Sequence, residues 1–177
     1  MKLRWTPLRG IGLVLLFAAV LTGRSALFSY SAQAAPAVIG ETAVVKEVNT
    51  GLEFEARVDT GAATSSIHVD PDDVVIVDES PKPTENIDKK IRVRLDNGAG
   101  ELAWVETKIE NYAEVRSANG AEHRYQVRLP LQFGDIQKLA IVNLNDRSSM
   151  KYRLLLGRDF LRDDFLVDVA SAGPRPL

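Results

Sequence analysis

Leu52-Glu53-Phe54-Glu55-Ala56-Arg57-Val58 leads without a break into Asp59-Thr60-Gly61-Ala62. Apolar and charged residues alternate in the first seven positions. A period of two puts Phe54, Ala56 and Val58 on one face and Glu53, Glu55 and Arg57 on the other, the pattern of a half-buried strand. Asp59 then stands at the strand's end, on a tight turn that Gly61 permits. Upstream, Asn49-Thr50-Gly51 is a turn signal. Val38 to Val48 therefore reads as a first strand that pairs with the second in a hairpin.

Further along, the same two kinds of stretch recur. Thr64 to His68 should return as a strand after the turn, and Val74 to Val77 is a short apolar run. Ile91 to Leu95 and Leu102 to Ile109 alternate around Asp96-Asn97-Gly98, and Asn-Gly between alternating runs is a strong hairpin signal. Tyr112 to Arg116 and Arg124 to Leu129 flank Ser117-Ala118-Asn119-Gly120. Leu131-Gln132-Phe133, Leu139 to Leu144, Leu154 to Leu156 and Phe165 to Val169 complete the set. Asp78 to Lys90 carries Pro81, Pro83 and several charges, and reads as an exposed, poorly ordered loop. Asp159 to Asp163 is the one helix candidate. Many short strands between turn signals predict an all-β barrel or sandwich.

The chain has 177 residues, 45% of them hydrophobic and 26% charged, with no cysteine. One domain is expected, with a real core and neither disulfides nor thiolate chemistry. Residues 1–34 stand apart. Lys2, Arg4 and Arg9 precede an apolar run from Ile11 to Leu21, and Ala32-Gln33-Ala34 follows. That is the layout of a signal peptide cleaved after Ala34 for export, into the periplasm in a bacterium; an uncleaved inner-membrane anchor is the alternative. Residues 35–37 form a linker and 38–177 the folded domain, with no stable membrane span after cleavage. Loss of the leader removes Lys2, Arg4, Arg9 and Arg24 and no acid, taking the net charge from −2 to −6. An acidic domain without a basic run is a poor partner for nucleic acid.

A strand ending in Asp59-Thr60-Gly61-Ala62, followed about a hundred residues later by Leu155-Leu156-Gly157-Arg158-Asp159-Phe160-Leu161, resembles the retropepsin-like aspartic proteases. Longer stretches are similar to the bacterial branch labelled "ATP-dependent zinc protease": Asp59 through Ser65-Ser66-Ile67-His68, Ser117 to Gly120 with Arg124-Tyr125, and Asn145-Asp146-Arg147 through Met150 to Gly157-Arg158. The resemblance implies a closed β-barrel with one short C-terminal helix. It also implies peptide-bond hydrolysis by water that two carboxylates activate while sharing one proton. With one Asp-Thr-Gly per chain, the second carboxylate is Asp59 of another copy, so a homodimer is implied.

In that reading Asp59, Thr60 and Gly61 are catalytic, Thr60 bonding across the interface. Ala62 floors the cleft, and Ala118, Asn119 and Gly120 form the tip of a flap over a peptide or protein substrate. Gly157, Arg158 and Asp159 give structural support. The family's arginine braces the active-site loop through an acid just after the Asp-Thr-Gly-Ala. Ala63-Thr64-Ser65-Ser66 holds none, so Arg158 must use Asp70, Asp72 or the loop carbonyls. Should the second carboxylate be intrachain, Asp159, Asp163, Asp164 and Asp168 are the candidates, Asp168 foremost.

The label's zinc and ATP find no motif. His68 and His123 are the only histidines, there is no His-Glu-x-x-His, and there is no phosphate-binding Gly-x-x-x-x-Gly-Lys loop. No metal and no cofactor are expected, and no Gly-x-Ser-x-Gly elbow suggests a serine hydrolase. Some relatives trim glutamate tails from a ribosomal protein, a substrate from which an export leader would separate this chain. The competing readings are a non-catalytic peptide-binding or dimerisation module on the same scaffold and a metal-dependent hydrolase.

Overall fold

The computed structural model describes residues 35–117 and 120–171. The proposed leader and the flap-tip residues Ala118 and Asn119 lie outside them. Eleven strands dominate the described residues: β1 Ala37–Ile39, β2 Thr42–Glu47, β3 Glu53–Val58, β4 Ser65–His68, β5 Val74–Ile76, β6 Lys90–Asp96, β7 Leu102–Ser117, β8 Gly120–Phe133, β9 Ile136–Asn145, β10 Leu154–Leu156 and β11 Phe165–Val167. One α-helix, α1, spans Arg158–Leu161. The all-β expectation therefore holds, with a short helix near the C-terminus.

Nine strands form one sheet in the order β2-β3-β10-β4-β9-β8-β7-β6-β5, and β2 also pairs with β8 through Lys46↔Gln132 and Glu47↔Leu131. A separate parallel pair joins β1 to β11. The alternation in β3 does what it predicts: Phe54, Ala56 and Val58 are buried and their charged neighbours are exposed. The β2–β3 turn is held by a buried acid. Glu47 accepts hydrogen bonds from the amides of Asn49 and Thr50 and from the Thr50 hydroxyl.

The decisive element for the site is β10. Its three leucines insert between β3, with which they run parallel, and β4, with which they run antiparallel. Leu154 and Leu156 are fully buried, and each such side chain contributes roughly 1.5–3 kcal/mol of burial free energy. This insertion carries Gly157 and Arg158 to the turn that follows β3. A four-residue helix has no stability of its own. Burial of Phe160 and Leu161 holds α1, and Phe160 stacks on Phe165 at 5.2 Å.

Several expected boundaries shift for identifiable reasons. The stretch from Val38 to Val48 is two strands, because β1 pairs with β11 while β2 joins the main sheet. Leu102–Ile109 and Tyr112–Arg116 are one long strand, continuous through a register shift between Ile109 and Asn111. β8 runs through Pro130, where the strand is leaving β7 and taking up β2. The Pro130 carbonyl accepts from Val48 N, so the missing proline N–H costs the β9 ladder nothing. The helix ends at Leu161 rather than Asp163, since Arg162 is extended and Asp163 is left-handed (φ 75°). Residues 78–90, expected to be poorly ordered, contain a 3-10 turn at Pro83–Asn86 organised by the fully buried Asn86.

Candidate active site

Asp59 leaves the sheet immediately after β3. Its amide donates to the Leu156 carbonyl at 2.9 Å, which ties the residue to β10. Its Oδ1 accepts from Gly61 N at 2.8 Å and from Ala62 N at 3.2 Å. Among the described residues, Oδ2 receives no hydrogen bond. One carboxylate oxygen is thus fixed by the backbone while the other is available. Gly61 is favoured by space rather than by dihedral freedom, since its φ is not positive. A Cβ there would stand 3.1 Å from Asp59 Oδ1. Thr60 is exposed, and its hydroxyl has no partner among the described residues.

The loop is braced from α1. Arg158 Nη1 donates to the carbonyls of Thr60, at 3.0 Å, and Gly61, at 2.8 Å. Of the three partners foreseen for Arg158, the loop carbonyls are the ones it uses; Asp70 instead caps its own turn at Asp72 N. Arg158 N and Asp159 N donate to the carbonyls of Ala62 and Ala63. A side chain at Gly157 would meet the Thr64 carbonyl carbon at 2.6 Å and Ser65 N at 2.9 Å, so only glycine lets β10 approach this closely. The Asp159 carboxylate accepts from the amide and hydroxyl of Ser65 through Oδ1, while Oδ2 is buried without a partner. Burial pushes the Asp159 carboxyl above the usual carboxylate range, against the bonds from Ser65.

A cleft of about 740 Å³ opens beside Asp59, Gly61 and Ala62. The outer part of the β7–β8 hairpin forms one wall through Val115, Gly120 and Arg124, and the segment between β9 and β10 forms another through Arg147 and Met150. Ala62 and Gly120 both line it. The four intrachain candidates for a second carboxylate do not: Asp159, Asp163, Asp164 and Asp168 are all absent from the cleft wall. Asp164 pairs with Lys138 and Asp168 caps Ala170 N. The other acids that line the cleft are Glu122, which no motif marks, and Asp146, which lies in the Asn145-Asp146-Arg147 stretch without a role assigned to it. Glu122 pairs with Arg124, and Asp146 accepts from Ser148 N.

Three arginines line this cleft: Arg124, Arg147 and Arg116, the last paired with Glu114. Arg124 has its Nε buried and without a partner. Arg147 spends its Nε on the Tyr152 carbonyl at 3.1 Å, and its two terminal nitrogens have no acceptor among the described residues. Desolvation lowers the pKa of both, and in Arg147 the Arg124 charge adds to this while Asp59 opposes it. The floor is closed by Asn143, which bridges Gln126 on β8 and the Ser65 carbonyl on β4. A lone amide within Ile141-Val142-Asn143-Leu144 was the available signal for it.

The family model described as "RimB-like: Retropepsin-like aspartic endopeptidase RimB" matches residues 38–176. The chain belongs to the RimB-like family. It is similar to proteins described as "Probable alpha-L-glutamate ligase", with 34% identity to that of Shewanella pealeana over 67% of this chain and 25% of that protein. The protein of the same description from Parasynechococcus marenigrum is 31% identical over 65% of this chain and 24% of its own length. The chain thus spans about a quarter of the length of the curated relatives it matches. A solved structure of a Legionella pneumophila protein of unknown function (DUF785) shares the fold. Its TM-score is 0.63 at 24% identity, covering 78% of this chain and 98% of that one.

The zinc in the label attached to this branch of the retropepsin-like proteins finds no fit here. Among the described residues, no three His, Asp or Glu side chains gather as a metal ion needs. His68 is buried and its Nδ1 accepts from Arg147 N at 2.9 Å. His123 lies on the β7–β8 hairpin, stacked on Tyr112 with ring centroids 5.3 Å apart. No helix among the described residues is long and apolar enough to cross a membrane.

Proposed function

We propose that this RimB-like chain is an aspartic endopeptidase that cleaves acidic peptides at a site shared by two copies. The observation that carries the reading is Asp59 itself: Oδ1 is locked by two backbone amides, Oδ2 is available, and the loop is braced by Arg158 at the mouth of a cleft. A lone carboxylate cannot be at once the ionised base and the proton-bearing acid. Of the other cleft acids, Glu122 pairs with Arg124 and Asp146 accepts from Ser148 N, and exposed Thr60 beside Asp59 suits a contact with a second copy. In the dimer one Asp59 takes a proton from water, the water oxygen attacks the peptide carbonyl, and the protonated Asp59 of the other copy polarises that carbonyl. Collapse of the tetrahedral adduct returns a proton to the leaving nitrogen. The β2–β8 pairing, Lys46↔Gln132 and Glu47↔Leu131, supports a closed barrel behind each Asp59.

The guanidinium groups of Arg124 and Arg147 support an acidic side chain as the recognised feature, because desolvated arginines gain most from a carboxylate. The description of the relatives as α-L-glutamate ligases makes an α-linked oligoglutamate the first probe. Asp59→Asn keeps the size and loses the base. It is expected to abolish cleavage of a labelled oligoglutamate while binding persists and the thermal midpoint stays within a few degrees. Retained cleavage by this variant would refute the mechanism, and binding without cleavage by wild type would make the domain a peptide-binding module.

A further inference from the structure

Two motifs far apart in the chain, Ser65-Ser66-Ile67-His68 and Asn145-Asp146-Arg147, meet in space. His68 ends β4 and is buried. Its ring accepts the Arg147 amide proton through Nδ1, which requires the neutral ring with its proton on Nε2. The strap from Asp146 to Arg153 closes on the same point. Arg153 Nη1 and Met150 N donate to the Arg147 carbonyl, each at 2.9 Å, and the His68 amide donates to the Arg153 carbonyl at 2.8 Å. Arg147 Nε is spent on Tyr152. Every backbone polar group of Arg147 and one side-chain nitrogen are therefore committed, and the terminal nitrogens remain at the cleft.

We propose that His68 is a positioning residue: by accepting the Arg147 amide proton it anchors the 146–153 strap and fixes the Arg147 guanidinium where an acidic substrate side chain docks. The docking half rests on the acidic-peptide reading above; the anchoring half does not. Burial and the charge of Arg153 hold the imidazole below its ordinary value, against Asp96 on β6, Asp146 on the strap and Asp70 after β4. Asp146 Oδ1 lies 3.6 Å from Nδ1. Neutral His68 is thus the form present at neutral pH. Protonation puts a donor where the Arg147 N–H needs an acceptor, so the strap lets go only as pH falls through the lowered folded-state value, beneath the ordinary imidazole range. Glutamate side chains remain ionised down to about pH 4.3, so above that value the probe's own charge is nearly constant.

The test uses His68→Asn, whose Oδ1 can replace Nδ1 as acceptor, and His68→Leu, which has none, both in the Asp59→Asn background so that binding is read without turnover. The probes are labelled tetraglutamate and tetraglutamine. His68→Leu is expected to weaken tetraglutamate binding ~10-fold, the scale of a lost hydrogen bond to a preorganised charged group, with little change for tetraglutamine. The Arg147 Nε–H resonance should broaden in this variant. His68→Asn should keep the affinity and the resonance while flattening the loss of affinity expected with His68 as pH falls below the ordinary imidazole range. A folded His68→Leu variant with unchanged resonance and affinity overturns the proposal, as does a His68→Asn profile that falls with pH as His68 does. Should His68→Leu not fold, the comparison of His68→Asn with His68 across pH decides. Should tetraglutamate bind no version while the resonance responds as stated, the acidic-peptide reading falls and the anchoring role stands.

Discussion

Asp159 carries two environments on one carboxyl, one oxygen bonded and one buried without a partner. Its position after Gly157-Arg158 marks it as support for the loop, and its Oδ1 does hold Ser65. What local sequence could not give is the buried, unpartnered Oδ2. Because burial raises its pKa in the folded protein above the 3.8 of an ordinary aspartate, the native state holds this proton more tightly than the unfolded chain does. Stability from Asp159 is therefore full below about pH 3.8 and is lost as pH rises through the folded-state value. Asn at this position keeps the acceptor for Ser65 and carries no charge, while its amide nitrogen has no partner at any pH. The stability of wild type relative to Asp159→Asn should decline between pH 4 and 7.5, measured by urea unfolding. A difference that does not change with pH would show that the carboxyl is not burdened by its burial.

At the scale of elements, the β7–β8 hairpin is the part that can move. Beyond the register shift at Ile109/Asn111, β7 pairs only with β8, and β8 reaches β9 only from Gln126 onward. The outer arm is thus a two-stranded ribbon, a structure with little stability of its own. Its base is pinned from outside: Asn86 Nδ2 donates to the Tyr125 hydroxyl at 2.9 Å and to the Ser80 carbonyl at 3.0 Å. Tyr112 packs against both His123 and Tyr125. Tyr125→Phe removes only the hydroxyl, so global stability should fall by about 0.5–1.5 kcal/mol. Amide exchange in residues 111–125 should quicken far more than in β9, and KM should rise more than kcat falls. Uniform exchange changes, or none, would mean that the arm is not hinged there. The hairpin itself was legible, because alternation and turn residues are local. The pin was not, because Asn86 sits in a polar, proline-containing stretch whose burial depends on residues 39 positions away. Arg124, Glu122, Asp146 and Arg147 share that limitation: their meeting at one cleft is set by strand order, and no period in the sequence encodes it.

For the whole molecule the question is stoichiometry. Asp59 has one available oxygen, and the cleft acids are already engaged, Glu122 with Arg124 and Asp146 with Ser148. If the working unit were the single chain, added inactive chains would be spectators. If it is a pair, an Asp59→Asn chain that still folds will capture a wild-type partner and leave that pair with one carboxylate. Random exchange at a tenfold excess of the variant leaves only about one wild-type chain in eleven with a wild-type partner. Activity per wild-type chain should then drop roughly tenfold, and specific activity of pure wild type should rise with concentration until the dimer is saturated. Both measurements use the same labelled oligoglutamate, with the variants mixed before substrate is added and left long enough to exchange. A rate indifferent to excess Asp59→Asn, from a protein that sediments as a monomer at the assay concentration, would dismiss the shared site. It would direct attention to Asp146 or Glu122, the acids that the fold, rather than the motif, brings to the cleft.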